Sequence, residues 1–306
     1  MPKQTDKVQE GYIPVTGGLV WYKVVNAGNR IPLLTLHGGP GSSHHYLEPL
    51  EHLANERTVI FYDQLGCGKS ERPNDTSLWQ RKRFVEELSQ IRKVLGLEQV
   101  HLFGHSWGTM LAIDYALTKP DGLISLILAS PALSIPRWLK DMERYRKSLP
   151  TEVQKILEEH ERNGTTDSDP YQEASMEFYQ RYLCRLSPWP EPLERTLANE
   201  GTTVYNTMWG TAEFYMTGNL VNYDCTPQLG EIDVPTLFTC GRYDEATPEA
   251  TAWYQSLLPK SELAVFEQSA HMAHLEETEP YLQTVRAFLE KVEHLPELTL
   301  NFQNLR

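Results

Sequence analysis

The spacing of apolar residues changes period several times along the chain, and each change predicts an element. Between residues 8 and 25, Val20, Tyr22 and Val24 alternate with Trp21, Lys23 and Val25, and Gly17-Gly18 supplies a turn. That is the pattern of two antiparallel strands. Nearly uninterrupted apolar runs then recur at 32–36 (PLLTL), 58–62 (TVIFY), 100–103, 123–129, 234–239 (VPTLFT) and 263–266. Short runs of this kind predict strands covered on both faces. Helical spacing fills the intervals. Leu47, Leu50 and Leu53 mark a short helix, and 78–95 places Phe84, Leu88, Ile91 and Leu95 on one face. Met110, Leu111, Ile113 and Leu117 mark another, and helices are also predicted at 248–257 and 279–293.

Strands alternating with helices predict βαβ units and a mostly parallel sheet, an α/β fold. The alternation stops near Pro131. From there to about Leu229 the sequence is mostly helical and rich in aromatics, Glu and Arg, and the alternation resumes at Val234. The expected organisation is therefore a core of residues 1–130 and 230–306, interrupted by a helical cap at 131–229. Residues 295–306 carry no clear pattern and receive no role.

The totals narrow the class. The 306 residues are 40% hydrophobic and 23% charged, ordinary for a globular protein and enough for one domain with an insertion. The net charge of −13 disfavours nucleic acid and anionic membrane as partners and mildly favours cationic ligands. Cys67, Cys184, Cys225 and Cys240 show no C-x-x-C spacing or His/Cys cluster, so they read as free thiols rather than as disulfide or zinc ligands. No metal or cofactor is expected. The first ten residues are polar, without the apolar stretch of a signal peptide, and the longest apolar run, at about 123–133, falls short of the roughly 20 residues that span a bilayer. These features predict a cytoplasmic protein; they leave its oligomeric state open.

The chemistry centres on VHLFGHSWGTMLA, residues 100–112. Strand, G-x-S-x-G, helix is the setting of a nucleophile elbow, with Ser106 at a strained turn between Gly104 and Gly108. A serine hydroxyl needs a histidine to take its proton and a carboxylate to orient that histidine. In this architecture the acid and then the base follow later strands. Asp244, in the loop after VPTLFT, and His271, in the loop after LAVF, fill those places. Glu245 is the rival acid and His274 the rival base, whereas Asp233 precedes its strand and lies at the wrong end of the sheet. The glycines of His37-Gly38-Gly39-Pro40-Gly41 let a backbone N–H approach the substrate. Gly39, or Gly38, would pair with the Trp107 N–H as an oxyanion hole.

Taken together, HGGPG, DQLGCGKS, GHSWG, GRYDEATP and the late S-A-H resemble the proline iminopeptidases, or prolyl aminopeptidases, of the α/β-hydrolase superfamily. The nearest subgroup is the tricorn-interacting aminopeptidase type, and the resemblance covers about residues 8–290. Two positions depart from the pattern. Thr109 stands where a second glycine is usual, and the base lies in S-A-H-M-A-H rather than G-x-G-H. The resemblance implies exopeptidase specificity, with the substrate's free α-amine held by Glu213 and Glu245 and, more weakly, Tyr205. Trp107, Trp209, Phe214 and Tyr215 could wall an apolar first-residue pocket or simply be core. The leading expectation is a serine aminopeptidase that acts on short peptides, releasing proline or another apolar first residue, with an amino-acid amidase as its close variant. An esterase or lactonase without an amine requirement, and a non-catalytic binder of the same fold, are the alternatives. An epoxide hydrolase or dehalogenase is disfavoured, because those enzymes use aspartate where position 106 is serine.

Overall fold

The computed structural model describes residues 7–294. The predictions for 1–6 and 295–306 lie outside the described residues. Eight strands form one sheet: β1 (Lys7–Val15), β2 (Gly18–Asn26), β3 (Arg30–Leu36), β4 (Arg57–Tyr62), β5 (Val100–His105), β6 (Leu123–Ala129), β9 (Thr236–Gly241) and β10 (Ser261–Phe266). Their order is β1-β2-β4-β3-β5-β6-β9-β10. β1 and β2 pair antiparallel, β2 is antiparallel to β4, and every later pairing is parallel.

Both faces of the sheet are buried, and alternation along each strand divides the side chains between two cores. Leu34, Ile60, Leu102 and Leu126 face one layer, which contains α1 (Arg81–Val94), α2 (Trp107–Ala116) and α8 (Pro248–Leu257). Leu33, Phe61, Phe103 and Ile127 face the other, made of a 3-10 segment, His44–Leu53, the single turn α9 (Ala273–Glu276) and α10 (Thr278–Glu293). Burial on both sides explains why these strands read as apolar runs. The predicted elements are present with shifted ends. α1 begins at Arg81 rather than 78, after a 3-10 turn, Thr76–Leu78, that Asp75 caps through the Ser77 N–H. The 234–239 strand begins at Thr236.

Between β6 and β9 the chain leaves the sheet. It forms α3 (Ile135–Arg146), α4 (Thr151–Asn163), α5 (Asp169–Tyr182), α6 (Glu191–Ala198), α7 (Thr202–Met208) and a hairpin of β7 (Gly210–Ala212) and β8 (Tyr215–Met216). The helical reading of this block missed the hairpin, whose strands are too short to leave a period-2 signature. All four cysteines are buried and free. Among the described residues, no helix is long and apolar enough to cross a membrane.

Candidate active site

β5 ends at His105, α2 begins at Trp107, and the residue between them, Ser106, has φ 53° and ψ −122°. This left-handed backbone is costly for a residue with a side chain. The glycines on either side make it possible. A Cβ on Gly104 would lie 2.3 Å from the Gly108 carbonyl oxygen, and one on Gly108 would lie 2.1 Å from the Leu36 carbonyl oxygen. The turn is also tied down. The Ser106 N–H donates to the Ala129 carbonyl at 3.0 Å. Thr109 Oγ1 donates to the Ser106 carbonyl at 2.6 Å and accepts from the Ala132 N–H at 3.2 Å. The threonine that departs from the resembling pattern thus links the elbow to the first residues after β6.

Asp244 and His271 follow the C-terminal ends of β9 and β10, and both are buried. His271 Nδ1 is 2.7 Å from Asp244 Oδ1. Asp244 is otherwise saturated: it accepts from Ser130 Oγ at 2.6 Å, the Ala246 N–H at 2.7 Å and the Gly241 N–H at 3.2 Å. Of the two adjacent acids, Asp244 holds the orienting nitrogen, whereas Glu245 Oε1 lies 3.7 Å from the opposite nitrogen, Nε2. His274, the rival base, is buried among the rings of Tyr46, His105 and Tyr281, and burial pushes it down to about 3. Asp233 is exposed and paired with Lys260 at 2.7 Å.

A hydrogen-bonded chain joins the glycine loop to the histidine loop. The Gly38 N–H donates to Tyr46 Oη at 2.7 Å, Tyr46 Oη lies 3.0 Å from His105 Nδ1, and His105 Nε2 lies 2.9 Å from the His271 carbonyl. Burial holds His105 well below its usual range. A neutral ring with its proton on Nε2 satisfies both ends, accepting from tyrosine and donating to the carbonyl. The Gly38 amide is therefore engaged by Tyr46. The Trp107 side chain is fully buried, and its indole N–H donates to Gln64 Oε1 at 2.9 Å, so it belongs to the core.

Ser106 and His271 line a cavity of about 440 Å³ between the sheet and the inserted block, with Gly38, Gly39, Tyr205 and Glu213. Glu213 stands in the turn of the β7–β8 hairpin. Tyr205 Oη donates to its Oε1 at 2.8 Å, and Trp138 fixes its carbonyl from Nε1 at 2.9 Å. Its other oxygen, Oε2, is buried without a partner, and neither oxygen of the 1%-exposed Glu245 accepts a hydrogen bond. Burial, with Glu213 and Asp244 adding to it, pushes Glu245 well above the usual carboxylate range. Burial pushes Glu213 up to about 7 against the pull of His271. Trp209 and Phe214 do not wall this cavity. Trp209 packs edge-on against Trp138, and Phe214 packs against Phe178, so both serve the insert's own core. Apolar lining comes instead from Met176, Tyr179, Leu183, Trp189 and Leu193.

The insert is fastened to both acid and base loops at one point. The Tyr182 carbonyl, at the end of α5, accepts from the Glu245 N–H at 3.2 Å and the His271 N–H at 3.3 Å. The Tyr182 ring stacks on Tyr145 at 4.0 Å, and Tyr145 Oη donates to the Asp244 carbonyl at 3.1 Å. Tyr46, Ser130 and Tyr182 were not anticipated. His105 stood within the quoted pentapeptide, but nothing in that motif identified its partners. Among the described residues, one group has metal-ligand spacing: His44, His45 and Glu48. Its donors are already committed, His44 Nδ1 to Asp63 at 2.8 Å and Glu48 to Arg195.

Comparison with known proteins identifies the family and the fold. Residues 31–278 match the family model described as alpha/beta hydrolase fold. The proline iminopeptidase of Heyndrickxia coagulans is 52% identical over 92% of this chain and 99% of that protein. The proline iminopeptidase of Saccharolobus solfataricus is 40% identical over 93% of each. Among solved structures, VinJ superposes with a TM-score of 0.89 at 37% identity, covering 93% of this chain and 99% of VinJ. The proline iminopeptidase of Mycobacterium smegmatis gives 0.86 at 33% identity, covering 93% of this chain and 99% of that one.

Proposed function

The chain belongs to the proline iminopeptidase family of α/β hydrolases, and from that premise we propose that it is a serine aminopeptidase releasing proline or another apolar first residue from short peptides and amides. One observation carries the reading: two carboxylates, Glu213 on the cavity lining and Glu245 buried 3.7 Å from His271 Nε2, have three buried oxygens without hydrogen-bond partners. Buried carboxylates without a counter-charge are costly, and an incoming α-ammonium ion supplies what is missing. The two N–H bonds of a prolyl ammonium match two carboxylate acceptors. Holding the amine there also sets the distance to Ser106, so that only the first peptide carbonyl comes within reach.

Ser106 Oγ attacks that carbonyl while His271 Nε2 takes its proton, and Asp244 stabilises the imidazolium through Nδ1–H. The N–H groups of Trp107 and Gly39 receive the oxyanion, Gly38 being engaged by Tyr46. His271 then passes the proton to the leaving nitrogen, and an acyl-enzyme remains. Water attacks the acyl-enzyme with His271 again as base, freeing the amino acid and restoring Ser106. The block at 131–229 acts as a cap that carries Glu213 and closes the cavity. Four buried thiols suit work in the reducing cytoplasm.

The test compares prolyl, alanyl and leucyl naphthylamides with their N-acetylated forms and with p-nitrophenyl esters. Free-amine substrates should be cleaved and blocked ones refused. Ready cleavage of the blocked forms would overturn the reading in favour of an esterase.

A further inference from the structure

The cavity is larger than a first residue needs, and its charge is one-sided. Asp167, Glu200 and Glu213 line it, and among the lining residues there is no lysine or arginine. Glu213 is committed to the amine in the aminopeptidase reading, on which this inference rests. Asp167 and Glu200 are left over. Glu200 sits at the seam between insert and core, in the link from α6 to α7. Its carbonyl accepts from Arg72 Nη1 at 3.1 Å, and the next N–H, that of Gly201, donates to the Gly41 carbonyl at 2.7 Å. The backbone on both sides is thereby fixed to the core. Arg72 also donates to the Gly68 and Asn199 carbonyls, so its guanidinium is spent on main chain. Burial and the nearby Glu213 push Glu200 up to about 7.

The two ends of the cavity differ in accessibility. The unpartnered oxygen of Glu213 is inaccessible, whereas Asp167, Leu197, Thr202 and Asn206 are exposed at the rim. A substrate whose amine is clasped at the inner end must lead the rest of its chain out past that rim. We propose that the way out of the cavity, from Glu200 near Glu213 to Asp167 at the rim, is a subsite for the residue after the scissile bond. It accepts a cationic or neutral continuation and rejects a carboxylate. The favoured substrates are then peptides whose second residue is Lys or Arg, or whose carboxyl end is amidated or distant. Free dipeptides, which bring an α-carboxylate into this cavity, are disfavoured.

The experiment measures kcat/KM for Pro-Arg-amide, Pro-Leu-amide, Pro-Glu-amide and free Pro-Leu on the wild type and on Glu200→Gln and Asp167→Asn, with prolyl naphthylamide as reference. The wild type should favour Pro-Arg-amide over Pro-Glu-amide, and Pro-Leu-amide over free Pro-Leu, by about tenfold or more. Glu200→Gln should compress both ratios by several-fold, Asp167→Asn by less. Equal rates across the wild-type series would overturn the proposal without recourse to any variant, as would ratios unmoved by both substitutions in folded protein. Failure to cleave any of the amino substrates, the naphthylamide included, would instead overturn the aminopeptidase reading.

Discussion

Asp244 and Glu245 are neighbours in sequence, both buried, yet their surroundings are opposite. Asp244 is surrounded by donors, accepting from two N–H groups, a serine hydroxyl and the His271 ring. Glu245 accepts from none. The same contrast separates the two ends of the site. At the end that would perform bond chemistry, Asp244 and the His271 Nδ1 that it orients are fully hydrogen-bonded and thus preorganised before substrate arrives. The end that would receive substrate keeps its acceptors open, and the ligand completes it. A site of this kind can be rigid where atoms react and unsatisfied where recognition occurs.

The sharpest way to break the comparison is at the preorganised end. Ser106→Ala should abolish hydrolysis, by roughly 10⁴-fold or more, with the fold intact by circular dichroism. His271→Ala and Asp244→Ala should also lose most activity, and neither should add to Ser106→Ala, because the three act as a unit. A purified Ser106→Ala protein retaining several per cent of activity would end the serine mechanism.

At the open end the effect should be smaller and selective. Glu213→Gln keeps shape and removes one charge-assisted hydrogen bond. It should lower kcat/KM for free-amine substrates about ten- to a hundredfold and barely change a neutral ester. Stability should move the other way. An acid whose folded pKa is raised favours its protonated form in the folded state, so its contribution worsens as pH rises from about 4.5 to about 7 and stays unfavourable above. Glu213→Gln should therefore raise Tm at pH 8 and flatten the fall of Tm across that window. A melting curve with unchanged pH dependence would show that these carboxylates are not stranded.

Tyr46→Phe tests whether preorganisation extends beyond the proposed triad. It cuts the chain from Gly38 through His105 to the His271 carbonyl, and should lower kcat by about tenfold with KM little changed. Least of all, Thr109→Val should cost about 1 kcal/mol of stability by removing the hydroxyl that bonds the Ser106 carbonyl. An activity loss comparable to Tyr46→Phe would mean that the elbow depends on the hydroxyl for its shape.

Most of the sheet could be read from apolar runs because strands covered on both faces carry a strong, local signal. Ser106, Asp244 and His271 could be proposed as a triad for a related reason: each follows a strand end, where topology limits the candidates. Glu213 needed the resemblance, since one glutamate in a short hairpin has no signature of its own. Trp209 and Phe214 were misplaced as possible pocket walls because aromatic content alone cannot tell a cavity lining from the core of the insert. Tyr46 and Ser130 escaped notice because their roles exist only in three dimensions. The hydroxyl of Ser130 meets Asp244 from 114 positions away.

The double hydrogen bond at the Tyr182 carbonyl makes the insert unsuitable as an exchangeable part. A chimera that replaces residues 131–229 with the corresponding block of a relative replaces the acceptor on which the Glu245 and His271 amides rest. Because that acceptor is main chain, any amino acid can furnish it, and alanine scanning will pass over it in silence. What a designer must preserve there is the path of the chain, measured in fractions of an ångström, while the residue written at that position is free to vary.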